Sequence, residues 1–429
     1  MNKEILRLAI PNIISNISVP LLSSVDTALM GRLSELHIGA VGIGSMIFNF
    51  IYWNFGFLRM GTTGMTAQAY GAKDEGAVTH TLGRALVAVL AVAGGLLLLQ
   101  WPFGQASFFL MNTTGEQAAL VARYFYIRIW AAPATLGLYA FMGWFFGMQN
   151  AIYPLILTVV INVINILLSF YFVQYLGMDV DGVAYGTIIA QYCGLALAIV
   201  LFYYRYGYLL EHFRRAAILQ WDKLSKFLSI NADIFLRTLA LTGAFAFFYS
   251  RSSAEGGMVL AVNTILLQFL NWMSYGVDGF AFASESLVGK YKGAADDERT
   301  NRAIRLSFAW GMGLALLFSL SYWFFGTELL RVFTNQKDVL AAARPFLFWM
   351  ALFPVFGTPC YIWDGVFIGL TASRAMRNSM ILAFVIFIAG YFATLSLGNN
   401  GLWLTLLLFL LARGAIQHWM YLRRGLALE

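Results

Sequence analysis

The stretch AIYPLILTVVINVINILLSFYFVQYL, 151–176, decides the fold class, because it holds no Lys, Arg, His, Asp or Glu from end to end. A helix needs about 20 apolar residues to cross a bilayer's hydrocarbon. Lipid offers the backbone no hydrogen-bond partner, so such a stretch spans as a helix or not at all. A transmembrane barrel would show alternating strands of about 10 residues, and that pattern is missing here.

Similar runs flank it on both sides. Apolar segments bounded by charge or by Gly, Pro and Asn clusters lie at 5–30, 38–69, 79–101, 118–147, 151–176, 183–204, 224–250, 257–288, 302–325, 339–369, 378–397 and 400–422. The 429 residues are 60% hydrophobic and 11% charged, whereas soluble proteins carry roughly 25% charge. A soluble enzyme, a disordered chain and a fibrous protein are thereby excluded. The charge excess, 28 − 21 = +7, lies between the apolar runs, where it sets topology at a lipid surface and does not indicate nucleic acid. Cys193 and Cys360 both sit in apolar stretches, so no disulfide framework is expected. No small-residue cleavage site follows a short apolar core, and the first run is expected to stay as a helix.

One set of alternate loops holds eighteen Lys and Arg, among them Lys3, Arg84, Arg214, Arg305 and Arg377; the other set holds Arg32, Arg251, Arg331, Lys337 and Arg344. That asymmetry predicts both termini on the cytoplasmic side of a plasma or inner membrane. The longest polar connection, 205–223, divides an N-terminal lobe (1–204) from a C-terminal lobe (224–429). Sliding the sequence along itself by 221–222 positions lays Ala40-Val41 on Ala261-Val262, Asp74 on Asp296, Arg84 on Arg305, and Tyr139, Gly143 and Gly147 on Tyr361, Gly365 and Gly369. Six spans per half make the two copies parallel, the arrangement of transporters that rock two lobes about a central site. The expected fold is an all-α membrane protein of twelve helices in two six-helix lobes.

Charge inside a membrane is costly, at least ~2.5–3.5 kcal/mol per group, so function is sought at the ionisable residues within spans. Asp26 stands in the first span with no basic residue three or four positions away. Pro11 and Pro20 precede it, free the carbonyls of Arg7 and Asn16, and mark the span as a hinge. A desolvated carboxylate takes up a proton near neutral pH or, beside neutral oxygens, a Na⁺. Asn162, Asn165 and Ser169 follow one another at i, i+3, i+7 and share a helical face, and Thr187 adds a hydroxyl from the sixth span. Taken alone, these residues read as interhelical hydrogen bonds. Shifted by one repeat, however, Asp26 falls on Phe247 or Phe248, Asn165 on Ile386 or Phe387, and Thr187 on Leu408 or Phe409. Helix glue is needed in both halves, whereas a binding site need occur once.

In the second half Asp233 and Arg237 stand at i, i+4, and Asp278, Glu285 and Asp364 are expected to join them in an ionic network. Arg123 and Arg128 are available to balance Asp26 or to steer an anionic group. No nucleotide-binding loop, H-E-x-x-H motif or clustered histidines occur, so neither an enzyme, a cofactor nor a metal beyond a coupling Na⁺ is expected. Aromatic residues, at 16%, suit lipophilic cations through stacking and cation–π contact.

Several motifs resemble the multidrug and toxic-compound extrusion (MATE) family: Pro11…Pro20-x5-Asp26, Gln68-Ala69-Tyr70-Gly71-Ala72, Arg128-Ile129-Trp130-x2-Pro133 and Gly147-Met148-Gln149-Asn150. Phe235–Leu241, Val277-Asp278-Gly279-Phe280-Ala281 and Asp364–Gly369 look like its DinF-like branch, and the likeness runs from about 5 to 422. The resemblance implies cation-driven export of lipophilic cationic compounds through a cavity between two lobes. It assigns cation binding to Asp26, Asn165, Ser169 and Thr187 and links Tyr124 with the same lobe; with Asn162 from the shared face of the fifth span, Asp26, Tyr124 and Asn165 make up the expected substrate pocket. Where family members often have a second carboxylate this chain has Ser169, which favours H⁺ over Na⁺ as the coupling ion. A monomer among membrane lipids is expected. The competing reading, a flippase for lipid-linked oligosaccharides of related architecture, needs several inward cations in spans one, two, seven and eight, and only Arg59 and Arg237 qualify.

Overall fold

Hydrocarbon leaves each apolar run to satisfy its own backbone, and in the computed structural model every long run is helical. The structure describes residues 1–30 and 34–427, with the side chains of 19–30 and 35 left out. The helices are α1 (Asn2–Met30), α2 (Leu36–Gly71), α3 (Glu75–Leu98), α4 (Gly115–Gly147), α5 (Ile152–Gln174), α6 (Val180–His212), α7 (Trp221–Ala254), α8 (Gly257–Gly293), α9 (Asp297–Phe333), α10 (Lys337–Gly369), α11 (Ser373–Ala393) and α12 (Asn399–Arg424). All of α2 to α12 are long and apolar enough to cross a membrane. The third apolar run stops at Leu98, and a separate helix, Gln100–Leu110, follows with Trp101, Phe103, Phe109 and Leu110 exposed. Pro102 falls in its first turn, where a missing N–H costs nothing.

The internal repeat is written into the backbone. Lys73 and Ala295 both take positive φ, and the next residues, Asp74 and Asp296, cap α3 and α9 by accepting from the N–H three residues on. Gln149 and Thr371 form a second positive-φ pair. Within each of these pairs the residue numbers differ by 222. The glycines explain why the register holds. A Cβ on Gly143 would strike the Arg59 carbonyl, and one on Gly147 would lie 2.9 Å from the Thr63 carbonyl. In the second half Gly365 meets the Ala281 carbonyl and Gly369 the Glu285 carbonyl, each at the same shift from its first-half counterpart. Close backbone contact of this kind needs glycine. With the register fixed in this way, Arg305 corresponds to Gly83, and the sequence match of Arg84 with Arg305 is one position out.

The chain forms two compact units, Ile14–Ser229 and Met1–Ile13 with Ile230–Glu429. These limits differ from the expected 1–204 and 224–429. The first thirteen residues join the C-terminal unit because Glu4 accepts from Lys290 Nζ (3.1 Å) and Tyr291 Oη (2.9 Å) at the end of α8. Beside them, Gly279 of α8 lets Ala9 and Ile13 approach. Burial pushes the Glu4 carboxyl up, but the hydrogen bonds from Lys290 and Tyr291 and the Lys290 charge outweigh it, holding the group below the usual carboxylate range.

The 205–223 connection is not a free linker. The buried Arg84 guanidinium donates to the carbonyls of Ala217 (2.7 Å) and Ile218 (3.2 Å), the last residues of a short helix, Arg215–Ile218. Thr79 Oγ1 donates to the Leu209 carbonyl, and the Ile218 side chain packs on Gly83. Leu209 thereby joins a core of Leu82, Phe141, Trp144, Phe202 and Tyr206.

Gly143→Leu and Gly365→Leu are each expected to destabilise the detergent-solubilised protein by roughly 1–3 kcal/mol or more through overpacking. Gly42→Ala, where the added carbon meets nothing within 4 Å, should leave the melting temperature unchanged. The Glu4 contribution carries its own pH signature. Because its folded pKa is depressed, the stabilisation is complete above the unfolded glutamate pKa and is lost as pH falls through the folded value. Thermal unfolding followed from neutral to acid pH should therefore show a shallower acid decline for Glu4→Gln than for the parent.

Candidate functional site

Within the Ile14–Ser229 unit, α1 and α5 are joined by polar groups at helical spacing. Ser15 Oγ donates to Thr158 Oγ1 (2.9 Å), and Asn162 Nδ2 donates to Ser18 Oγ (3.3 Å). One turn further along α5, Asn165 Nδ2 donates to Thr187 Oγ1 of α6 (2.9 Å), and that hydroxyl donates back to the Val183 carbonyl. Ser169 lies fully buried a turn beyond, against Gly186 of α6, where a Cβ would sit 2.7 Å from Ser169 Oγ. Asn165 Oδ1 and Ser169 Oγ have no hydrogen-bond partner among the described residues. Two orphaned oxygens on one buried face are an exception to the usual satisfaction of buried polar groups. Asp26 and Pro20 lie outside the described side chains; Pro11 stands within the continuous α1.

The second half holds aromatic rings at the corresponding places. Phe387, at the position of Asn165, contacts Phe409, at the position of Thr187, with ring centroids 5.7 Å apart. Phe247 packs on Phe387 at 5.7 Å. A hydrogen-bonded polar pair in one half is thus a ring contact in the other.

Tyr124 is completely buried elsewhere in the unit. Its hydroxyl accepts from Arg128 Nη1 (2.5 Å) and lies 3.3 Å from Ser45 Oγ of α2. Arg128 also covers the Phe48 ring at 4.9 Å. Arg123 pairs with Asp181 at the start of α6. Both arginines are therefore engaged, and none of these contacts brings Tyr124 to Asn162 or Asn165.

In the other unit Asp364 of α10 is the centre of a buried cluster. It accepts from Arg237 of α7, from Arg413 Nη2 (2.6 Å) and from Gln417 Nε2 (2.7 Å), the last two one turn apart on α12. Asp278 of α8 lies within Coulombic reach of Cys360 and Tyr361, a turn before Asp364. The expected Asp233–Arg237 pair is not formed. Asp233 accepts instead from Ser373 Oγ (2.7 Å) and Arg377 Nη1 of α11, because Arg237 is taken by a carboxylate on another helix. Glu285 is buried on α8, its carbonyl against Gly369. Sequence reasoning placed Arg377 with the topology charges and left Arg413 and Gln417 unassigned; their i, i+4 spacing in an apolar span was the available signal.

Comparison with known proteins follows the same outline. The MatE family model matches residues 11–171 and 234–410. DNA damage-inducible protein F of Escherichia coli (strain K12) is 37% identical over 424 residues, covering 96% of this chain and 90% of that protein. The probable multidrug resistance protein NorM of Thermotoga maritima is 22% identical, over 80% of this chain and 75% of that protein. A crystal structure of MATE in the bent conformation superposes with a TM-score of 0.89 at 20% identity, covering 98% of this chain and 95% of that one.

Asp364→Ala would leave two buried guanidiniums without their carboxylate. Loss of one partner of a buried ion pair costs about 3–5 kcal/mol. The variant is expected to melt well below the parent in detergent, and adding Arg237→Met should restore part of the loss.

Proposed function

The chain belongs to the MATE family of multi-pass membrane transporters, and from that premise we propose that it exports lipophilic cationic compounds in exchange for a cation, H⁺ in preference to Na⁺. Asp26 is the shared carboxylate and alternating access is the mechanism. The observation that carries this reading is the pair of oxygens, Asn165 Oδ1 and Ser169 Oγ, that have no partner among the described residues, on a buried face where the second half has Phe387 and Tyr391.

Two registers support Asp26 as the group that belongs with them. Ser15 meets Thr158 and Ser18 meets Asn162; from the first of these contacts, eleven residues or about three helical turns lead to residue 26 on α1 and to residue 169 on α5. In the second half, at the shift of 222 that the backbone fixes, Asp26 falls on Phe248, which is fully buried against Trp403 with ring centroids 4.8 Å apart. The C-terminal acid is unsuited to the role, since Asp364 already accepts from two guanidiniums and an amide.

The donor set favours H⁺. Thr187 Oγ1 already accepts from Asn165, which leaves two unengaged neutral oxygens among the described residues, and hard cations bound by oxygen take six or more ligands when they keep few waters. A carboxylate beside so few oxygens, desolvated, satisfies itself with a proton. Protonation from outside cancels the charge that holds a cationic compound, the compound leaves, and return of the lobes releases the proton inside. Coupling needs only that ion and compound compete for one carboxylate. The compounds, an inner-membrane location with cytoplasmic termini, and a monomeric state are parts of the same proposal.

Everted vesicles test it. Asp26→Asn should reduce pH-driven uptake of a fluorescent lipophilic cation by at least about tenfold, the scale of an ordinary coupling free energy, while Asp26→Glu keeps most of it. Full pH-driven transport by Asp26→Asn would remove Asp26 from the mechanism. Uptake driven by a Na⁺ gradient at constant pH would replace H⁺ as the coupling ion.

A further inference from the structure

At the basic end of the Met1–Ile13/Ile230–Glu429 unit a pocket of about 660 Å³ opens between the first turns of α9 and the ends of α10 and α12. Its walls include Asn301, Ile304, Arg305 and Phe308 of α9, Trp363 of α10 and Tyr421 of α12. At the register of the repeat the first five correspond to Thr79, Leu82, Gly83, Leu86 and Phe141. Those are residues that hold the 205–223 connection in the other unit: Thr79 bonds the Leu209 carbonyl, Gly83 receives Ile218, and Leu82, Leu86 and Phe141 share a core with Leu209. One copy of this groove is filled by chain, with two carbonyl oxygens capped by Arg84. The second copy is open.

Its lining is apolar at Ile304, Phe308 and Trp363, with Arg305, Glu298 and His418 exposed around them. Trp363 is buried and packs on the Tyr421 ring at 4.9 Å, and the Tyr421 hydroxyl bonds Asn301. Arg305, in place of Gly83, is exposed and makes no hydrogen bond or ion pair with another described residue. The pocket's acid, Glu298, is exposed and forms no ion pair with Arg305 or another described residue, and stands two helical turns from Arg305. Arg423 and Arg424 end α12 close by in sequence. The volume is that of a pocket for a drug-sized molecule or a lipid headgroup with the first part of its chains. Basic clusters at the ends of spanning helices attract anionic lipid.

We propose that this pocket binds one anionic phospholipid, its phosphate on Arg305 and its glycerol and upper acyl chains on Trp363, Phe308 and Ile304, occupying the groove that residues 209–218 occupy in the other half. The lipid is a bound structural ligand of the C-terminal unit, separate from the transport cycle at Asp26.

Native mass spectrometry of the full chain in detergent tests this with phosphatidylglycerol, phosphatidylcholine and inorganic phosphate as probes. One phosphatidylglycerol per chain should survive delipidation, and phosphatidylcholine should not replace it. Arg305→Gln should reduce the retained lipid about tenfold, the effect of losing one charge-assisted contact, with an unchanged melting temperature in lipid-free detergent. Arg331→Gln, at the opposite end of α9, should retain the parent level. Equal retention by Arg305→Gln and the parent overturns the proposal, as does equal binding of phosphatidylcholine. Displacement of the lipid by millimolar phosphate alone would make this an anion site and overturns the lipid assignment too.

Discussion

A carboxylate carried into hydrocarbon must be met by a cation, by a proton or by a set of donors, because its desolvation otherwise costs more than a helix's packing returns. The buried polar groups of the two halves differ in kind. In the second half Asp364 is enclosed by Arg237, Arg413 and Gln417, contributed by two helices besides its own. Such a cluster closes one arrangement of α7, α10 and α12 and leaves the acid nothing further to bind. In the first half Asn165, Ser169 and Thr187 are neutral, and two of their oxygens have no partner among the described residues. An aspartate can remain responsive to a proton only in surroundings of the second kind.

The same constraint explains how the repeat survives where most sequence identity has gone. Gly143, Gly147, Gly365 and Gly369 press on carbonyls one repeat apart in the two halves, and no side chain can replace them without parting the helices. Around that fixed backbone the polar groups are free to diverge. Asn165 and Thr187 in one copy become Phe387 and Phe409 in the other. Divergence at equivalent positions of one framework is the clearest mark that the polar version serves a task beyond packing.

The sequence made the helical class and the repeat legible, since both rest on local patterns: long uncharged runs, glycines four apart and capping aspartates. The polar face of α5 was legible for the same reason, as 162, 165 and 169 share a face by periodicity alone. Partner choice was not. Asp233 and Arg237 satisfy the rule for a pair along one helix, yet each finds a partner across helices, at Arg377 and Asp364. Periodicity fixes which face a residue occupies; which helix lies opposite is decided by tertiary packing. The unit boundaries escaped for a like reason, because Glu4 and Arg84 make their hydrogen bonds with residues more than a hundred positions away.

The division of α1 carries the argument one step further. Its first thirteen residues are held to α8 through Glu4, while Ser15 and Ser18 are bonded to α5. The change of allegiance falls between Ile13 and Ile14, just past Pro11, and Pro20 follows. A proline leaves one carbonyl of the preceding turn without its donor and lowers the cost of a bend there. A helix shared by two units, and weakened where the sharing begins, is a mechanical element. Under the proposed mechanism, protonation of the carboxylate at position 26, on its later turns, is the change that this helix carries to the point where its first turns are clamped.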